Sequence, residues 1–263
     1  MNIIGTVESL WRYPVKSMRG EKLDSMFAGF SGVYGDRLFA FHSSASPKGF
    51  PYLTGRVQPQ MLRYHPRFRQ PDKAAAPVNL REAQNPPPGA TPLYADPADL
   101  MLDVETPAGS TVAIDSPALL EMLREGIDDK HQLSLLHSER ALTDCRPLSL
   151  LSLQSVASLS EETGIPIDKQ RFRANIYIDL TSGGAFAEDE WVGRSLRLGS
   201  RAIVSILQRD SRCMMITLDP ETGEKYPALL KTVAQSHEGQ VGVYGAMLEE
   251  GLIREGDPVE LLA

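Results

Sequence analysis

Ile3-Ile4-Gly5-Thr6-Val7-Glu8-Ser9-Leu10, Leu23-Asp24-Ser25-Met26-Phe27 and Leu38-Phe39-Ala40-Phe41 are three short, largely apolar runs near the start of the chain. Between them stand two turn signals, Arg19-Gly20 and Ser31-Gly32-Val33-Tyr34-Gly35-Asp36. Apolar runs this short, closed by glycine-containing turns, form strands more readily than helices and predict an antiparallel sheet or barrel. Working outward, the sequence at 64–97 becomes rich in proline, alanine and asparagine around Asn85-Pro86-Pro87-Pro88-Gly89, which predicts a surface excursion without regular structure. A hairpin is expected over 100–105 and 110–114 around Pro107-Ala108-Gly109. Ser116-Pro117 then offers an N-cap and a first-turn proline for a short helix.

Strands are expected at 133–136, 148–151, 175–180, 196–198, 202–207, 214–217, 241–248 and 259–262, and short helices at 155–163, ended by Gly164, and at 227–235. No fixed-period repeat is visible, which excludes solenoids and propellers. The expected class is β-rich α+β. An N-terminal β-barrel or sheet domain at 1–115 packs on a second β-barrel domain at 116–263 that carries a few short helices.

With 263 residues and 42% hydrophobic content, a core can form without disulfide or structural metal. The 34 acidic against 27 basic side chains, a formal charge of -7, give no electrostatic reason for binding a nucleic-acid backbone. Two cysteines, Cys145 and Cys213, cannot assemble a zinc ribbon or an iron-sulfur cluster. A reducing, cytoplasmic location fits this cysteine usage. Met1-Asn2-Ile3-Ile4-Gly5-Thr6-Val7 lacks the features of a secretion signal, and no apolar run reaches the length of about eighteen residues expected of a membrane span.

Cys213 is the most informative residue. It ends Gln208-Arg209-Asp210-Ser211-Arg212-Cys213, where an apolar strand meets a polar cluster with two arginines. Cationic neighbours favour a thiolate, the form that ligates soft metals or attacks electrophiles. The residues alone leave open a buried structural cysteine. Cys145, flanked by Asp144 and Arg146, reads as a loop cysteine without a role. Lys16, Ser17 and Arg19 lie at a strand end beside a turn, where backbone amides and cations can gather round a phosphate; Arg37 follows a second turn, and each could equally be a surface charge. Alternation sends Arg173 and Asn175 to one face, either toward a shared ligand or toward solvent. The five histidines show no metal-type pairing, and neither a Gly-x-Ser-x-Gly elbow nor a dinucleotide fingerprint is present.

Seven strings occur in order: Tyr13-Pro14-Val15-Lys16-Ser17, Gly35-Asp36-Arg37, Leu53-Thr54-Gly55-Arg56, Phe172-Arg173-Ala174-Asn175, Ala185-Phe186-Ala187-Glu188-Asp189-Glu190-Trp191, Ser211-Arg212-Cys213 with Asp219-Pro220-Glu221-Thr222-Gly223, and Gly242-Val243-Tyr244-Gly245. Together they resemble the MOSC proteins, which pair an N-terminal β-barrel with the molybdenum-cofactor-sulfurase C-terminal domain and include the mitochondrial amidoxime-reducing component and bacterial relatives. The resemblance implies a pyranopterin molybdenum cofactor, with Cys213 as the protein's metal ligand. Lys16, Ser17 and Arg37 would hold its phosphate; Ser152, Ser155, Arg173, Asn175, Ser211, Arg212 and Tyr244 would contact the pterin or line the metal pocket. Ala174 stands where the family usually has proline.

It further implies reduction of N-hydroxylated compounds such as amidoximes, hydroxylamines and N-hydroxylated bases, with Arg212 or Asp210 helping the leaving oxygen. Electrons would come from a separate protein of ferredoxin, flavin reductase or cytochrome b5 type, because no cysteine cluster follows Cys213. The alternative is a sulfur carrier with a persulfide on Cys213 and no phosphate ligand at Lys16, Ser17 and Arg37.

Overall fold

The computed structural model describes residues 2–80 and 96–262; the proline-rich centre at 85–89 lies outside them. The strands, in chain order, are β1 (Ile3–Arg12), β2 (Glu21–Leu23), β3 (Ser25–Gly29), β4 (Gly32–Val33), β5 (Phe39–Ser43), β6 (His65–Phe68), β7 (Leu102–Glu105) and β8 (Thr111–Ala113). They continue with β9 (Leu133–His137), β10 (Leu148–Ser152), β11 (Ile176–Leu180), β12 (Ser195–Leu198), β13 (Ala202–Ser211), β14 (Gln240–Glu249), β15 (Gly251–Arg254) and β16 (Pro258–Leu261). Three α-helices are present among the described residues: α1 (Pro117–Arg124), α2 (Leu153–Thr163) and α3 (Pro227–Ser236). None of them is long and apolar enough to cross a membrane.

Seven strands close into a barrel in the order β1, β11, β10, β14, β13, β12, β16 and back to β1, with β2 added on β1. The expected β-rich class is thus observed. All neighbours are antiparallel except β10 and β11, which run parallel. A parallel pair needs a crossover, and α2 supplies it between these two strands. Ser152 caps α2 by accepting from the Ser155 amide (3.2 Å), and Gly164 ends it in the left-handed conformation.

The N-terminal strand therefore belongs to a barrel whose other members all come from 148–261. Its apolar residues Val7 and Leu10 join Leu150, Ile178, Leu196, Val204, Ile206 and Val243 in the barrel core. Around the barrel lie the sheets β15-β3-β4, β5-β9 and β6-β7-β8. A second core, including Phe39, Phe41, Leu53, Met61, Leu102, Leu119 and Leu123, fills the space beneath β5, β7 and α1. A third packs α2 and α3 over β11 through Leu159, Tyr177, Leu229 and Val233. Buried Arg12, at the end of β1, ties the barrel to the outer sheets. It bonds Glu21 (2.8 Å), Tyr34 O (3.1 Å) and Ala74 O, and its guanidinium lies 4.4 Å above the Phe68 ring.

Two stretches differ from the sequence expectation. The segment read as unstructured after residue 64 contains β6, which pairs with β7. The expected strand at 214–217 is instead a 3₁₀ turn (Met214–Thr217) that starts at Cys213. Its register is set locally, by Thr217 Oγ1 donating to Met214 O (2.8 Å) and the Tyr226 amide donating to Thr217 O (2.7 Å). The strand before it runs further than its apolar part suggests, because Arg209 and Ser211 still pair with Val243 and Gln240 of β14.

Gly5 sits where β1 passes between β11 and β16, opposite Leu180 and Val259. A Cβ there would stand 2.4 Å from the Asp179 carbonyl oxygen. Gly5→Val is expected to lower unfolding free energy by about 1–3 kcal/mol, the usual range for overpacking. Urea denaturation followed by tryptophan fluorescence would measure it, and an unchanged midpoint would contradict this view of barrel closure.

Candidate functional site

An open cleft lies where the ends of β1, β13 and β14 meet the outer sheets. Seven basic side chains line it, Lys16, Arg37, Arg56, Arg146, Arg171, Arg173 and Arg212, against two carboxylates, Asp144 and Asp210. Ser17, Thr54, Thr143, Ser149, Asn175, Ser211, Cys213 and Tyr244 complete its polar wall. The structure thus brings Cys213 into the same cleft as Lys16, Ser17 and Arg37, which are distant from it in sequence.

The cationic corner is built on strained backbone. Ser17, Arg37 and Arg173 have φ of 64°, 48° and 53°, three of the five non-glycine residues with positive φ among those described. Left-handed non-glycine residues are uncommon and persist where surrounding contacts fix them. Here the contacts are visible. Tyr13 is completely buried, with the Arg173 guanidinium 4.3 Å and the Arg37 guanidinium 5.0 Å from its ring centre. Arg37 is paired with buried Asp36 and donates to Arg173 O (3.1 Å), while Asp36 accepts from the Tyr13 amide (2.7 Å). Burial pushes the Tyr13 hydroxyl up to about 12. Burial, with Arg37 alongside, brings the Arg173 guanidinium down to about 10.

Lys16 is buried between the Phe50 and Tyr52 rings, 5.0 and 4.8 Å from its Nζ. It donates to Leu142 O (2.8 Å) and is paired with Asp144. Burial lowers the Lys16 ammonium below its usual value in spite of that partner. For Asp144 the balance reverses: burial opposes its charge, but Lys16, then Arg37 and Arg56, hold its carboxyl below the usual range. Lys16, Arg37, Arg171 and Arg212 each have a carboxylate partner. Among the described residues, Arg56, Arg146 and Arg173 have none within 4.0 Å.

A second polar group sits beside Cys213. Asp210 accepts from Ser149 Oγ (3.0 Å) and lies 2.9 Å from Arg212 Nη2. Burial raises the Asp210 carboxyl above its usual value, and burial together with Asp210 raises the Tyr244 hydroxyl. Arg212 turns its other donors to backbone, Nε to Val241 O (2.7 Å) and Nη1 to Phe172 O (2.9 Å). Asn175 lines the cleft and also stitches strands, accepting from the Ser149 amide (3.3 Å) and donating to Trp11 O (3.2 Å). Cys213 is half-buried at the start of the 3₁₀ turn, where its carbonyl accepts from the Ile216 amide (3.2 Å).

Ser152 and Ser155 do not line this cleft. Both hydroxyls bond buried Glu188 (2.8 and 2.7 Å) and hold the start of α2. Cys145 is exposed, accepts from Gln208 Nε2 (3.3 Å) and is likewise outside the lining. Sequence reasoning gave no role to Asp144, Ser149, Arg56 or Arg171. Arg56 stood inside a quoted motif, whereas nothing local in the sequence shows that Asp144 reaches Lys16, 128 positions away. Among the described residues no group of three or more His, Cys, Asp and Glu side chains could hold a metal ion. A metal beside Cys213 would therefore need most of its ligands from a cofactor of its own.

The family described as "MOSC domain" matches residues 137–260, and the one described as "MOSC N-terminal beta barrel domain" matches 4–96. Mitochondrial amidoxime-reducing component 1 of Mus musculus is 24% identical over 98% of this chain and 83% of its own length. Mitochondrial amidoxime reducing component 2 of Bos taurus is 26% identical over 97% and 83%. The molybdenum cofactor sulfurase of Drosophila willistoni is 31% identical over 51% of this chain and 16% of its own. Among solved structures, the YUAD protein from Bacillus subtilis covers 99% of this chain and 97% of its own at 12% identity, with a TM-score of 0.49.

Because Asp144 already bonds Lys16, any anion that docks on Lys16 must compete with a carboxylate. Asp144→Asn is expected to tighten inorganic phosphate binding by about threefold to tenfold, the low end reflecting a partly exposed ion pair. Calorimetric or NMR titration would read this. Equal or weaker binding in the variant would show that Asp144 assists the corner instead.

Proposed function

This chain belongs to the MOSC family, its N-terminal part matching the MOSC N-terminal beta barrel domain, and from that premise we propose that the cleft holds a molybdenum cofactor and reduces N-hydroxylated compounds. The observation that carries the reading is the single cleft shared by Cys213 and a cationic corner in which Arg173 has no carboxylate partner among the described residues. The residues present fit such a group. A sulfur donor suits a soft metal, guanidinium and ammonium groups suit a phosphate, and hydroxyl and amide groups suit a pterin. Cys213 would be the protein's metal ligand. Lys16, Ser17, Arg37 and Arg173 would hold the phosphate end, and Ser211, Asn175 and Tyr244 would line the pterin and metal region. Ser152 and Ser155 act from outside the cleft, by fixing the β10–α2 junction.

When bound, the cofactor supplies two-electron reduction of an N–O bond. The balanced change takes an N-hydroxylated group, two electrons and two protons to the N–H compound and water. The electrons come from a separate redox protein. Asp210 suits the delivery of a proton, because its burial raises the carboxyl and so keeps a proton available nearer neutrality. Ser149 holds that carboxyl in place, and both Asp210 and the Tyr244 hydroxyl line the cleft where a bound substrate would sit.

Protein purified from a cofactor-producing host should contain molybdenum near equimolar and reduce benzamidoxime with a chemical electron donor, and Cys213→Ser should lose both. Absence of molybdenum together with a cyanide-labile sulfur on Cys213 would overturn the reading in favour of a sulfur carrier. Asp210→Asn is expected to lower kcat by about a hundredfold, the lower range for removal of a general acid. In the unaltered protein kcat should fall as pH rises through the elevated Asp210 value. The variant should lose that dependence, and identical pH profiles would remove Asp210 from the proton path.

A further inference from the structure

The segment that carries Cys213 is short and irregular, so something other than a strand or a long helix must fix the sulfur's position. Besides the Tyr226 amide on Thr217 O, two arginines reach this segment from either side. Arg212, immediately before Cys213, reaches back to Phe172 O (2.9 Å). Arg171, from the neighbouring 3₁₀ turn (Lys169–Phe172), reaches forward past Cys213, donating from Nη1 to Thr217 O (2.9 Å) and from Nη2 to Asp219 Oδ2 (2.8 Å). Thr217 ends the turn that Cys213 begins. The residues on both sides of Cys213 are thus fastened to one dipeptide, Arg171-Phe172.

The other end of the Arg171 clamp is equally firm. Asp219 Oδ1 accepts from the Glu221 and Thr222 amides, each at 3.0 Å, so the carboxylate that receives Arg171 is itself held by a closed turn. The Arg171 side chain is 9% exposed, lines the cleft, and belongs to the turn that leads directly into Arg173 and Asn175. A buried charge-assisted contact to both a carbonyl and a carboxylate is among the stronger polar contacts a protein makes. A lysine keeps the charge but cannot span both acceptors with a planar fork.

We infer that Arg171 is a positioning residue for Cys213: its guanidinium sets the place of the sulfur relative to Arg173 and Asn175 by pinning the 213–219 segment to the turn at 169–172. This rests on the reading of Cys213 as the working residue, but it can be tested without molybdenum. In protein lacking the cofactor and carrying Cys145→Ser, the rate of Cys213 alkylation by iodoacetamide reports how firmly the half-buried sulfur is held in the cleft wall. Arg171→Gln is expected to raise that rate about tenfold or more, the effect of losing a charge-assisted hydrogen bond on a local opening. Arg171→Lys should fall between the two.

Hydrogen exchange supplies the readout that general destabilisation would not give. Amides of residues 216–218 should exchange faster in Arg171→Gln, while those of 203–206 in the barrel stay protected. An unchanged alkylation rate, or faster exchange across the barrel as well, would overturn the inference. Asp219→Asn, which removes the carboxylate and leaves Arg171, should reproduce the faster alkylation. If it does not, the clamp does not act through that pair. Absence of molybdenum in the unaltered protein would count against the proposed function and leave this result standing.

Discussion

Closure of the barrel by β1 is the constraint on which the rest of the molecule depends. The other six barrel strands come from 148–261, and a gap between β11 and β16 would leave the facing edges of both strands with unpaired backbone groups. Filling that gap with residues 3–12 carries Tyr13, Lys16 and Ser17 to the end of the barrel where β13 turns into Cys213. The cleft is the place where residues 16–56 are brought against residues 143–175 and 210–244. Its chemistry follows from that meeting more than from any single motif.

The charges there form two populations. Four of the basic side chains are neutralised by carboxylates, and these fix structure: Arg37 with Asp36 under Tyr13, Arg171 with Asp219, Arg212 with Asp210, Lys16 with Asp144. Arg56, Arg146 and Arg173 have no carboxylate partner among the described residues and leave the cleft positive inside a chain of net charge -7. A local field opposite in sign to the whole molecule concentrates ligands of the opposite charge in the cleft. The three left-handed residues point the same way, since backbone strain of this kind is retained where surrounding contacts demand a particular side-chain placement.

Much of this was legible in the sequence. Short apolar runs closed by turn residues, proline and serine at the start of α1 and glycine at the end of α2 point to the elements, and seven ordered strings point to the family. The 3₁₀ turn after Cys213 was read as a strand because Met214-Met215-Ile216 is apolar, and a burial pattern of three residues cannot separate the two. Arg212 shows a different limit. Adjacency to Cys213 suggested a partner for the sulfur, whereas its guanidinium reaches the carbonyls of Val241 and Phe172, a direction that depends on backbone geometry. Asp144 was invisible as a partner of Lys16 because long-range pairing of two surface-type residues leaves no periodic trace. Ser152 and Ser155 were placed at the site by resemblance, and in the structure their hydroxyls serve Glu188.

The central claim is that the sulfur of Cys213 is a ligand to molybdenum held in this cleft. X-ray absorption at the molybdenum edge of the purified protein tests it most directly. The account predicts one protein-derived Mo–S interaction in the unaltered chain that disappears in Cys213→Ser. A sulfur shell identical in the two proteins would contradict it.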